Sequence, residues 1–252
     1  MRTALARTLC LALAFTLGLA LAQVSVSSVQ QDINEGAYTL AAQVSGPALV
    51  GENPDDPEAH YLYAYALYLT GDVARAREVL EQATRLNPPS DDFRYPLLDG
   101  LLRAAQGDTA DAAQQLQATF EQTQRYEVAT AWAQVAWQGG DYESALAAYE
   151  AAAQTEQGSS EVWPYLGQGR MLKVLEKYEE SVAAFEQAID VFEANDPGDT
   201  QPNPGYVEAF FRIGEVYELT GDVEQARAFY AAARGADPNY TPAVVALDRL
   251  TP

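Results

Sequence analysis

A Gly-Asp dipeptide recurs along this chain in one fixed context, and that recurrence constrains the fold more than any other feature. Leu69-Thr70-Gly71-Asp72-Val73 followed by Ala76-Arg77 returns as Leu219-Thr220-Gly221-Asp222-Val223 followed by Ala226-Arg227, with Gly107-Asp108 and Gly140-Asp141 between them. Gly71, Gly107 and Gly140 stand about 34 residues apart, and Gly221 follows after room for one further unit and an insertion. Glycine readily takes the left-handed conformation that ends a helix, and an aspartate after it can cap the free N–H groups of the next one. Each dipeptide therefore predicts a sharp turn between two antiparallel helices.

The flanks repeat with the turns. Alanine returns four residues beyond each aspartate, at Ala76, Ala112, Ala145 and Ala226, and a bulkier residue follows at Leu80, Leu116, Tyr149 and Tyr230. Another small residue comes at Ala83, Ala152 and Ala233, and the preceding helices carry one at Ala64, Gly100, Ala133 and Gly214. Small and large residues alternating on one helical face let two helices nest closely. Pro88 and Pro238 end two of the units.

Together these residues resemble the tetratricopeptide repeat. The last unit matches best, with Phe210, Ile213-Gly214, Tyr217, Gly221-Asp222, Ala226, Tyr230, Ala233 and Pro238; the first carries Tyr63-Ala64, Leu67, Gly71, Ala76, Leu80, Ala83 and Pro88, and the third Trp132-Ala133, Gly140, Ala145, Tyr149 and Ala152. The second unit departs at Arg103 and Thr119. The fourth has Glu176-Lys177 in place of the turn dipeptide but keeps Gly169, Tyr178, Ser181, Phe185 and Ala188. The resemblance spans residues 57–240 in about five repeats. It implies an all-α, right-handed superhelical solenoid of stacked antiparallel helix hairpins that binds protein or peptide partners and is not an enzyme.

Four segments frame or interrupt the repeats. Residues 1–22 place Arg2 and Arg7 before an apolar stretch that ends in Ala20-Leu21-Ala22, the pattern of a secretory signal peptide cut before Gln23. The apolar stretch falls short of the roughly 20 residues a membrane-spanning helix needs, so the expectation is a periplasmic or secreted protein without stable membrane insertion. Residues 23–56 hold Val29, Ile33, Ala37, Leu40, Ala41 and Val44 at helical spacing, then a break at Gly46-Pro47: a capping helix or a degenerate half repeat. Residues 195–205 form a turn-rich insertion, and 241–252 read as a C-terminal capping helix with Val244, Leu247 and Leu250 on one face.

Composition removes several chemistries. The chain holds a single cysteine, Cys10, and a single histidine, His60, which excludes disulfide frameworks, cysteine–histidine zinc sites and any two-histidine mechanism. His60 stands where the family places an aromatic packing residue, and packing is its expected role. Asn195, Asp196 and Asp199 could offer oxygens to calcium, but their spacing matches no calcium loop. No cofactor is expected. The formal charge of −21 opposes nucleic-acid and anionic-membrane binding, and loss of Arg2 and Arg7 makes the chain more acidic still.

The candidate binding surface is the stripe that the first helix of each repeat would turn toward the concave side. It comprises Tyr61, Tyr65 and Tyr68 in the first repeat, Arg94, Leu97 and Leu101 in the second, and Thr130, Gln134 and Trp137 in the third. Trp163, Leu166, Arg170 and Lys173 continue it in the fourth repeat, and Phe211, Glu215 and Glu218 in the fifth. Accessible amphipathic aromatics anchor peptides well, and Arg170 with Lys173 forms an isolated basic spot suited to a carboxylate. Two states of this surface remain open: an exposed groove, or tyrosines covered by residues 24–50. Lysine and asparagine clamps for chaperone C-termini are not matched, since Tyr61, Tyr65, Leu98 and Glu127 stand at those places. The expected function is an exported scaffold for cell-envelope assembly. A glycan-binding protein using the same aromatics is the alternative reading, and self-association is a third.

Overall fold

The computed structural model describes residues 24–195 and 203–250, and all regular secondary structure among them is helical. The segment expected to be a signal peptide, residues 1–22, and most of the 195–205 insertion, with Asp196 and Asp199, lie outside the described residues. The chain divides into two units, Met1–Ser90 and Asp91–Pro252.

The first unit holds α1 (Val26–Asn34), a helical run made of α2 (Tyr38–Leu40), a π-helical turn (Ala41–Ser45) and α3 (Gly46–Glu52), then the hairpin α4 (Pro57–Leu69) and α5 (Val73–Arg85). The expected break at Gly46-Pro47 is absent: the helix passes through it. Pro47 has no N–H for an ordinary helical bond, and the wider π turn accommodates that loss. Gly46 makes the passage possible, because a Cβ there would lie 2.5 Å from the Ala41 carbonyl oxygen and 2.7 Å from the Tyr63 ring. The N-terminal segment thus lies directly on α4, with Val29, Ile33, Ala41 and Leu49 buried.

The second unit runs α6 (Arg94–Ala105), α7 (Thr109–Thr123), α8 (Tyr126–Gln138), α9 (Tyr142–Gln154), a 3-10 turn (Gly158–Ser160), α10 (Val162–Val174), α11 (Tyr178–Asn195), α12 (Pro204–Thr220), α13 (Val223–Ala236) and α14 (Thr241–Leu250). Successive helices pair as stacked hairpins. At their tips Gly71, Gly107, Gly140 and Gly221 take φ of 83, 100, 78 and 87°. The next backbone N–H reaches back across each turn, as from Asp141 to the Ala136 carbonyl at 3.0 Å and from Asp222 to Tyr217 at 2.9 Å. The Asp72, Asp141 and Asp222 side chains cap the following helices; Asp108 does not. In the fourth unit Glu176 itself adopts the left-handed conformation, at φ 60°, and Lys177 N–H bonds the Leu172 carbonyl at 2.9 Å. The missing glycine changed the residue, not the turn.

Inside the hairpins the small positions are contact points. A Cβ on Gly169 would sit 2.5 Å from the Phe185 ring, which is fully buried, and the Ser181 hydroxyl donates to the Gly169 carbonyl at 2.7 Å. Ala145, Ala148 and Ala152 are likewise fully buried along α9. The C-terminal helix forms as expected, but its most buried residues are Ala243 and Ala246, with Leu247 half-buried beside them.

Candidate functional site

The five first helices, α4, α6, α8, α10 and α12, share a register set by their turns. Counting back from Gly71, Gly107, Gly140, Glu176 and Gly221 aligns Tyr61 with Leu97, Thr130, Leu166 and Phe211. It aligns Tyr65 with Leu101, Gln134, Arg170 and Glu215, and Tyr68 with Ala104, Trp137, Lys173 and Glu218. Trp163 aligns with Glu58, Arg94, Glu127 and Glu208. These rows meet different fates.

The first row is packing. Tyr61 is 7% exposed and Leu166 1%, Leu97 lies against the core shared by α7 to α9, and Phe211 is wedged between the rings of Tyr230 and Tyr240 at 5.3 and 5.5 Å. Tyr61, Leu97 and Phe211 are therefore not a free wall: Tyr61 is buried, Leu97 packs on the core, and Phe211 is held between two rings. In the first unit Tyr61, Tyr65 and Tyr68 stack in series, with ring centroids 6.1 and 6.4 Å apart and planes within 13 and 16°. Tyr65 and Tyr68 are partly buried and Tyr61 nearly fully so, which leaves the tyrosine ladder partly covered rather than open or shut.

The basic spot is committed. Arg170 on α10 bonds Glu208 on α12 at 2.5 Å, and Lys173 bonds Glu215 at 2.7 Å. Arg212 sits between the two acids, 2.8 Å from Glu208 and 2.9 Å from Glu215. Burial opposes charging these carboxyls, but the bonds from Arg170 and Arg212 to Glu208, and from Lys173 and Arg212 to Glu215, outweigh it and hold both below the usual carboxylate range. One hairpin on, Arg249 bonds both oxygens of Glu218 and the Tyr230 hydroxyl donates to the same carboxylate at 2.8 Å. The expectation of two solvent-facing cations is corrected by this network: acids from the next first helix neutralise them. Arg94 is also engaged, its guanidinium bidentate on Asp92 with Nη2 2.6 Å from Oδ2. That partner is two residues away in the loop before α6.

Gln134, Trp137 and Trp163 remain accessible, Trp137 at 46% and Trp163 at 50% exposure. His60 is 5% exposed with Nδ1 3.0 Å from the Asp56 carbonyl, the setting of a packed residue at a helix start. Among the described residues no three His, Cys, Asp or Glu side chains converge to hold a metal, and no helix is long and apolar enough to cross a membrane.

A second feature escaped the sequence reading. At the end of the second unit a cleft of about 870 Å³ opens between α12 and α14, lined by Lys173, Phe211, Glu215, Leu219, Val245 and Arg249. Leu219 is 63% exposed and Val245 59%. The available signal was an apolar residue directly before a turn and another on the outer face of the last helix.

A family model described as tetratricopeptide repeat matches residues 97–161 and 166–241, and a second of the same description matches 33–95. No curated protein sequence matches the chain. Among solved structures, Cut9–Hcn1 of the APC/C hetero-tetramer superposes with a TM-score of 0.59 and 16% identity over 90% of this chain, which spans 42% of that one. YrrB, a tetratricopeptide repeat protein with an unusual peptide-binding site, gives 0.58 and 16% over 81% of this chain and 98% of its own. PilF of Pseudomonas aeruginosa gives 0.62 and 14% over 89% and 95%. At such identities these likenesses show the fold.

Proposed function

The chain belongs to the tetratricopeptide repeat family, and on that ground we propose that it is an exported, non-enzymatic scaffold that holds an extended segment of a partner protein on the inner helices of the Asp91–Pro252 unit. Trp137 carries the reading. It is a large amphipathic side chain left nearly half exposed on α8, beside an exposed Gln134, while the aligned positions Lys173 and Glu218 in later hairpins are tied into ion pairs. An aromatic anchor beside an uncharged amide suits a peptide bound through ring burial and main-chain hydrogen bonds. Trp163 supplies a second exposed ring at the start of α10. With Arg170 and Lys173 occupied, charge attraction to the partner is secondary. The signal sequence supports export to the periplasm or the medium, and cell-envelope assembly is the role proposed there.

Crosslinking pull-down from the native envelope fraction tests the reading, comparing wild type with Trp137→Ala and Trp163→Ala. Recovery of a protein partner should drop at least several-fold for Trp137→Ala and should respond weakly to salt. Equal recovery by both variants would move the binding site elsewhere, and recovery of a glycan polymer instead would replace the reading. Mass spectrometry should find Gln23 as the first residue of the exported protein.

A further inference from the structure

We propose that the Met1–Ser90 unit carries a binding site of its own, in which the tyrosine ladder on α4 takes an extended segment of a partner protein with lysine or arginine at alternate positions. The hydroxyls of the ladder are available for it. At Tyr63, Tyr206 and Tyr230 the hydroxyl meets a charged side chain of this chain, Arg75, Glu193 and Glu218 respectively. At Tyr38, Tyr65 and Tyr68 it bonds to none of the described residues. Tyr38 is 39% exposed, and Tyr65 and Tyr68 are partly so. Burial, and then the nearby Tyr38, pushes the Tyr65 pKa above the usual tyrosine value, and burial followed by Tyr65 does the same to Tyr68. The three phenols thus lie close together and stay protonated, each able to accept from a cationic N–H and to donate to a backbone carbonyl.

Spacing selects the conformation of the segment. The rings of Tyr61, Tyr65 and Tyr68 follow one another at 6.1 and 6.4 Å. Side chains on one side of an extended strand repeat every 6.4–6.8 Å or about that. Residues on one side of a polyproline helix repeat only every third residue, about 9.3 Å. A strand-like segment therefore keeps step with the ladder and a polyproline segment does not.

Charge selects its side chains. Residues 24–72 hold seven aspartates and glutamates and no lysine or arginine, and residues 24–90 hold nine acids against three arginines. Glu58 stands one helical turn before Tyr61 on the same face of α4. Of the three arginines, Arg75 is already paired with Asp72. An incoming cation thus enters a field that is negative overall, which favours a basic segment over a neutral or acidic one. Arg75 also displays the contact expected of it: its guanidinium donates to the Tyr63 hydroxyl and lies 5.9 Å from the centre of the same ring. All of these residues belong to the first unit, so the site does not depend on the role given to Trp137.

Fluorescence anisotropy of a labelled synthetic decapeptide that alternates arginine and threonine, titrated with the protein as its host processes it, tests the proposal. The control peptide has the same composition with its arginines consecutive. The alternating peptide should bind about fivefold more tightly than the control, and its binding should weaken as salt is raised. Tyr65→Phe/Tyr68→Phe keeps both rings and removes only the hydroxyls. It should bind the alternating peptide about tenfold more weakly, as expected for lost hydrogen bonds to charged groups. Its circular dichroism melt should match wild type, because those hydroxyls hold nothing within the chain. Tyr38→Phe, at an exposed residue, should lose affinity by a smaller factor, and Trp137→Ala should bind the peptide like wild type. Equal affinity for the two peptides would show attraction by net charge alone and overturns the proposal. So does tighter binding of a proline-rich peptide of the same charge, undiminished binding by both phenylalanine variants, or no binding by wild type.

Discussion

Lys173 on α10 donates to Glu215 on α12 at 2.7 Å, tying together two helices that open successive hairpins. Arg170 and Glu208 repeat the tie one helical turn away, and Arg212 joins both acids. Reversing Arg170 and Lys173 to glutamate therefore places new negative charge against two half-buried carboxylates. Unfolding in denaturant should show a loss of about 2 kcal/mol for Arg170→Glu/Lys173→Glu, with a smaller loss for Arg170→Met/Lys173→Met, since Arg212 still serves both acids there. Wild-type stability in the reversed variant would mean that the ties contribute nothing.

The same network gives the fold a defined pH response. Glu208 and Glu215 have folded-state pKa values below their unfolded ones, so their contribution is fully present above the unfolded carboxylate value of about 4.3 and is lost as pH falls through the folded values. Glu208→Gln/Glu215→Gln should melt below wild type at pH 7. The gap should begin to narrow as pH falls below about 4.3 and should close once pH is below the lowered folded values, where the wild-type acids are themselves neutral. A gap independent of pH would assign the loss to packing rather than to charge.

Much of this architecture is legible in the sequence because its turns are written in residues with few conformational alternatives. Gly71, Gly107, Gly140 and Gly221 all take positive φ, and the small residues Gly169, Ala145 and Ala226 all sit under a neighbouring helix. The site was less legible, for a physical reason. A stripe read from one helix shows which residues leave its core face but not what the next hairpin brings to meet them. Glu208 and Glu215 lie 38 and 42 residues beyond the cations they neutralise, past an insertion, and no local pattern links them. Gly46-Pro47 misled in the other direction: the dipeptide ordinarily stops a helix, but a π turn and close contact with Tyr63 carry the chain through.

Two glycines within helices should respond oppositely to the same change. Gly169→Ala drives a methyl into the Phe185 ring, a fully buried side chain with little room to move, and should cost about 1–3 kcal/mol. Gly235 on α13 has nothing within 4 Å of its notional Cβ, so Gly235→Ala should add about 0.5 kcal/mol through helix propensity. Thermal melts of the two variants must fall on opposite sides of wild type; a neutral Gly169→Ala would show that α10 and α11 are not packed this closely.

Glu176 holds the turn conformation that glycine holds at the other hairpin tips, at φ 60° against 78° for Gly140. A side chain in that region crowds its own backbone, at a cost of roughly 1–2 kcal/mol that glycine does not carry. The glutamate carboxylate is exposed, and the backbone bonds of the turn, from Glu176 N–H to Lys173 and from Lys177 N–H to Leu172, do not depend on it. Glu176→Gly should therefore stabilise the protein by about 1 kcal/mol, after allowing for the greater freedom of glycine in the unfolded chain. For a chain of this size that is a rise of roughly 2–4 °C in Tm. The converse change, Gly140→Glu, should lower Tm by a comparable amount, because it installs the same crowding at a turn that lacks it. Should Glu176→Gly melt at or below wild type, the left-handed turn between α10 and α11 is not the strained element identified here.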